Sequence, residues 1–170
     1  MSPVWETGVD VVLISPLDAD NASLRRILQT VQATLHRFLT CEDALSFLRA
    51  RAVGVVIANV EMADGCWRDL LDPLALLKAP PRLIVSSRLA DERLWAEVLN
   101  LGGYDVLLTP FETDEALRVC AAAWRSWKPP PPPPPPRPPP PPRRPPPSPP
   151  PAPDCEGRLK CPANSLRRRS

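Results

Sequence analysis

Two spacings of apolar residues alternate along the first three quarters of the chain. Val11-Val12-Leu13-Ile14 is a short apolar run without helical spacing, which predicts a buried strand. From about Asp20 to Val31, Leu24, Ile27, Leu28 and Val31 recur at helical spacing, with Asp20 or Asn21 placed to cap the start. Thr34–Leu39 alternates and predicts a second strand. Thr40, three residues before Asp43, predicts the cap of a second helix with Ala44, Leu45 and Leu48 on its apolar face. Val53–Ala58 is rich in β-branched residues, as a central strand should be. A loop carrying Asp64-Gly65 leads to a short helix through Trp67, Leu70 and Leu71. Arg82–Val85 predicts the fourth strand, and Asp91–Leu101 a fourth helix burying Leu94, Trp95 and Val98. Gly102 and Gly103 can end that helix, since glycine takes left-handed backbone angles at little cost. Val106–Leu108 follows as a fifth strand, and Thr109-Pro110-Phe111 forces an extended exit. Thr113 is the expected cap of a last helix running to about Lys128 through Ala116, Leu117, Cys120 and Trp124.

Five strand–helix units of this length imply an α/β fold: a five-stranded parallel sheet, doubly wound, with helices on both faces. Sites in such sheets form outside the carboxyl ends of the strands. The residues to inspect are therefore those just after each strand.

Composition divides the chain. Of 27 prolines, 20 lie between Pro129 and Pro153, leaving residues 1–128 with ordinary globular composition. The expected organisation is an N-terminal extension (1–9), one domain (10–128), a polyproline linker (129–153) and a disordered basic tail (154–170). Residues 1–128 carry 13 Lys/Arg against 17 Asp/Glu, a net of −4. Residues 129–170 carry 8 against 2, a net of +6, so the overall +2 conceals an acidic body with a basic tail. No run reaches the ~18 to 20 apolar residues that span a bilayer. The first ten residues lack the pattern of a signal peptide. Five scattered cysteines (41, 66, 120, 155 and 161), without a CxxC, suit reduced thiols and a cytoplasmic location.

The segment Pro80–Phe111, PPRLIVSSRLADERLWAEVLNLGGYDVLLTPF, resembles the latter part of a response-regulator receiver domain, and the likeness extends over about Asp10 to Trp127. It implies the flavodoxin-like (βα)5 receiver fold and a role in two-component phosphorelay signalling. In an active receiver, acidic residues after the first strand hold Mg²⁺, an aspartate after the third accepts a phosphoryl group, and a lysine before Pro-Phe contacts it. A carboxylate is the nucleophile there, and the cation and ammonium neutralise the phosphoryl oxygens. This chain departs at each charged position. Ser15 and Pro16 stand where the acids belong, with Asp18 and Asp20 too late for those places. Asn59 takes the acceptor position, and Thr109 replaces the lysine. Ser86 keeps the small hydroxyl, and Val106 stands where many receivers place a switch aromatic. An amide forms no acyl phosphate, and the expectation is a lost Mg²⁺ site, with only the Glu61 backbone left to help. The losses compensate, since keeping one sign alone leaves an unpaired charge. The expectation is a neutral pocket in a pseudo-receiver without cofactor or enzymatic activity.

Such a protein works by docking a partner of a two-component or related pathway, or a second copy of itself, with Trp95, Tyr104 and Trp127 as candidate interface residues. Two alternatives stay open. One is an adaptor whose Pro/Arg-rich tail captures a partner; the other is a receiver that accepts phosphate on an atypical acid, of which Asp64 is the obvious substitute, though its place before Gly65 suits a structural turn. Polyproline II at about 3.1 Å per residue gives the 25-residue linker a reach of roughly 75 Å. Arg137, Arg143 and Arg144 make it basic, so it can meet nucleic acid non-specifically, but no interleaved aromatics are present for base stacking. His36, alone in its type, fits an edge imidazole. Cys41, Cys66 and Cys120 fit bland thiols.

Overall fold

The computed structural model describes residues 8–127. The polyproline linker and basic tail, and most of the N-terminal extension, lie outside the described residues. The strands are β1 (Asp10–Ile14), β2 (Thr34–Phe38), β3 (Val55–Asn59), β4 (Arg82–Ser87) and β5 (Asp105–Leu108). The helices are α1 (Asp18–Gln29), α2 (Cys41–Ala50), α3 (Leu71–Ala75), α4 (Glu92–Leu101) and α5 (Thr113–Ser126), with a 3₁₀ turn (Trp67–Leu70) leading into α3.

All strand pairs are parallel, and the order across the sheet is β2-β1-β3-β4-β5. Successive side chains of a strand point to opposite faces, so each apolar run feeds two cores. Val11, Leu13, Val55, Ile57, Ile84 and Leu107 join Leu24, Leu28 and Cys120 on the α1/α5 face. Val12, Ile14, Val56, Ala58, Val85 and Val106 join Leu48, Trp67, Leu74 and Val98 on the face of α2, α3 and α4. Burial on both faces explains why these strands read as unbroken hydrophobic runs. Among the described residues, no helix is long and apolar enough to cross a membrane.

Several local expectations are corrected. Neither Asp20 nor Asn21 caps α1: the helix starts at Asp18, after Leu17, and no side chain caps it. Strand β4 runs two residues further than predicted, so Ser86 lies within it. The cap of α5 is Glu112, which accepts from the Glu115 amide, and Thr113 is the first helical residue. On α4 only Val98 is buried; Trp95 is 51% exposed, because the Asp105 carboxylate draws its Nε1 outward at 3.1 Å. Trp127, a candidate for exposure, is buried instead. It packs on Trp124, with ring centroids 5.0 Å apart, in space left by Gly54.

Other expectations coincide with the structure. Thr40 caps α2, accepting from the Asp43 amide. Gly102 ends α4 at φ +102°, in the left-handed region. Tyr104, a candidate interface residue, is by contrast half-buried and packs against the α1/α5-side core.

Candidate functional site

The five strands end together on one side of the sheet. Asn59 closes β3 and pairs with Ser86 in the β3–β4 register. The amide of Thr109, just after β5, donates to the Ser87 carbonyl at 2.9 Å, which sets Thr109 beside the end of β4. Thr109-Pro110 is a cis peptide. Ser15 follows β1, its amide donating to the Phe38 carbonyl at 3.2 Å. Ser15, Asn59, Ser86 and Thr109 are all buried. Pro16 is exposed and lines nothing inward, and Glu61 is exposed as well. Val106 lies lower in the sheet, opposite Val85, as part of a core.

One buried carboxylate organises the cluster. Asp20, in the first turn of α1 and only 6% exposed, accepts at Oδ2 from Ser15 Oγ (3.1 Å) and from Asn59 Nδ2 (3.0 Å). The other end of the Asn59 amide is engaged too: Oδ1 accepts from the Glu61 backbone amide at 2.9 Å. Ser15 Oγ also accepts from the Leu17 amide at 3.2 Å, pinning the β1–α1 connection. Asp20 makes no ion pair among the described residues. Its charge is held by neutral donors, the arrangement that makes a buried ion tolerable. The expected neutral pocket therefore contains one carboxylate, on a residue whose sequence position suggests a helix cap. A signal was available: Asp20, Leu24, Ile27 and Leu28 share helical spacing, and all four are buried.

Arg37 is the second residue that sequence reasoning missed. From the edge strand β2 it reaches the β1–α1 connection, donating to the carbonyls of Ser15 (3.4 Å) and Pro16 (3.3 Å) and to Asp18 Oδ1 (2.6 Å). Asp18 is 93% exposed, so that ion pair adds little, and the carbonyl contacts fix the loop. His36, on the same strand, places Nε2 2.9 Å from Asp10 Oδ1.

Mg²⁺, the ion that the resemblance to receivers implies here, requires several oxygen ligands in octahedral array. Here Asp20 Oδ2 already receives two donors, and Asn59 turns an N–H toward it. Among the described residues no three His, Cys, Asp or Glu side chains gather to share a metal. The residues present do not fit that ion. Two buried hydroxyls, Ser86 Oγ and Thr109 Oγ1, have no hydrogen-bond partner among the described residues.

Elsewhere, Asp64 serves α2. Its carboxylate accepts from the Cys41 amide (2.9 and 2.8 Å) and from Glu42 (3.4 Å). Slight burial pushes its acidity the other way, but those backbone bonds win and hold its pKa below the usual carboxylate value. Burial, followed by the Asp64 carboxylate, pushes the Cys41 thiol up to about 12, and burial alone does the same to Cys120. Both stay protonated and unreactive near neutral pH.

No family model matches the chain, and no curated protein is close enough in sequence to match it. Solved structures do match. The receiver domain of an HD domain-containing protein from Pseudomonas fluorescens superposes with a TM-score of 0.62 at 22% identity, over 72% of this chain and 90% of that one. A chemotaxis response regulator of Vibrio cholerae gives 0.61 at 14% identity, over 69% and 99%. The beryllofluoride-activated NtrC4 receiver domain, solved as a dimer, gives 0.62 at 19% identity, over 68% and 96%. At the carboxyl ends of its strands this chain sets Ser15, Asp20, Asn59 and Thr109, on the fold of a response-regulator receiver domain.

Proposed function

We propose that this chain is a receiver-fold module of two-component-style signalling, whose state is set by docking a protein partner, without phosphoryl transfer and without Mg²⁺. One observation carries the reading. The side chain at the end of β3 is an amide with both ends committed, Nδ2 to Asp20 and Oδ1 to the Glu61 amide. An amide oxygen is too weak a nucleophile to take a phosphoryl group. Thr109 brings no cation to balance the charge of one. No catalytic step is assigned to the chain. The partner is a protein of a two-component or related pathway in the cytoplasm, and a second copy of the chain is a candidate, by analogy with the dimeric receiver neighbour.

A second reading has one observation in its favour. Asp20 is a carboxylate inside the pocket and is chemically able to accept a phosphoryl group. Its near-complete burial and its two hydrogen bonds to Oδ2 weigh against it. Incubation of the full chain with acetyl phosphate and Mg²⁺, followed by intact-mass analysis, separates the two. The expected result is no covalent adduct. A stoichiometric adduct overturns the proposal, and its loss in Asp20→Asn would assign the acceptor to Asp20.

A further inference from the structure

On the face formed by α4, β5 and α5 lies an open groove of about 540 Å³. Its apolar part is unusual for a surface. Trp95 stands 51% exposed along one wall, fixed by its hydrogen bond to Asp105, and Leu108 is 47% exposed beside it, over a floor that includes buried Val106. Its charge is one-sided: Asp91, Glu92, Asp105 and Glu115 line it against the single guanidinium of Arg118. Asp91 and Asp105 spend an oxygen each on amides of α4 and β5, whereas Glu92 and Glu115 enter no ion pair among the described residues.

A fixed indole edge beside acidic side chains selects a particular ligand chemistry. Pyrrolidine rings of an extended polyproline helix pack on an exposed aromatic at low entropic cost, because that backbone is already ordered. Interspersed guanidinium groups answer the carboxylates and can stack on the indole. We infer that this groove binds an arginine-bearing, proline-rich peptide. The proposal rests on the docking reading above and gives that partner a chemistry. The occupant is a segment of that partner protein, and residues 129–153 of this chain, with 20 prolines and Arg137, Arg143 and Arg144, supply a peptide of the same composition to probe it. A phosphorylated or acidic peptide would meet the same carboxylates unfavourably.

The test uses the full chain carrying Arg137→Glu, Arg143→Glu and Arg144→Glu, which removes the arginines of its own proline-rich segment, and a fluorescein-labelled synthetic peptide of residues 131–147 read by anisotropy. Saturable binding is expected, weakening several-fold as salt rises from low to physiological strength, because solvent-exposed charges are screened. In the same background, Glu92→Lys with Glu115→Lys should weaken binding at least tenfold, and Trp95→Ala should do so independently of salt. The first pair touches no fully buried residue and keeps the result interpretable if the tryptophan variant folds poorly. An absence of saturable binding, or binding indifferent to all three groove substitutions, overturns the inference. Failure here with no phosphoryl adduct leaves the docking reading standing, and an adduct with intact peptide binding removes only that reading.

Discussion

Replacing Asn59 by aspartate would set two carboxylates within hydrogen-bonding distance, since Asn59 Nδ2 lies 3.0 Å from Asp20 Oδ2. Two carboxylates sharing a buried site cannot both ionise cheaply, so one acquires a raised pKa. The folded state then binds more protons than the unfolded chain, and stability falls as pH rises through the folded value. The expected outcome for Asn59→Asp is a urea midpoint close to wild type near about pH 5 and clearly lower near about pH 8, whereas the wild type shows no such fall. Equal midpoints at both pH values would mean that Asp20 does not face residue 59. The substitutions Ser15, Asn59 and Thr109 are legible from strand-end positions alone. Asp20 is less so: its distance after β1 suggests a cap, and only its helical spacing with Leu24, Ile27 and Leu28, realised because α1 starts at Asp18, marks it as inward-facing.

Among the elements, α2 shows how a cap can be divided between near and distant residues. Thr40 accepts from the Asp43 amide at 3.2 Å, a pairing visible in sequence. Asp64 takes the amides of Cys41 and Glu42 from a loop more than twenty residues away, which no local pattern announces. Asp64→Ala should cost ~1 kcal/mol, the usual value of a lost cap, moderated by exposure to solvent. The sign with pH follows from the lowered folded pKa: the stabilisation is present above the unfolded value of 3.8 and disappears as pH falls below it. Chemical unfolding of both proteins should therefore show a gap at neutral pH that closes in acid; a gap that persists there would show that packing, and not charge, is lost. Helix α4 gives the complementary case. Its periodicity assigns Leu94, Trp95 and Val98 to one face, yet only Val98 is fully buried and Leu94 half-buried, because the short β5 at the sheet edge shields so little of the helix.

At the scale of the molecule, the two cores on either side of the sheet are built from residues that end at Trp127. Truncation after Lys128 should leave stability within about 0.5 kcal/mol of the full chain. Truncation after Arg125 removes the Ser126 carbonyl, which accepts from Arg82 at 2.8 Å, and uncovers the space over Gly54, at a cost of about 2 kcal/mol. Thermal melts of the two truncations decide this, and equal stability would place Trp127 outside the fold. The five alternating units, the parallel sheet and the positions after each strand are readable along the chain, because period and β-branching are local properties. So is the charge division between body and tail, which is composition alone. Which polar groups meet is settled by the packing of distant elements. Asp20, Asn59 and Ser15 come from the first turn of a helix, a strand end and a connection and converge through sheet register, Arg37 reaches across from an edge strand, and Trp95 turns outward to Asp105 while Trp127 turns in over a glycine. Those outcomes depend on distances between elements far apart in the chain, which no window of residues contains.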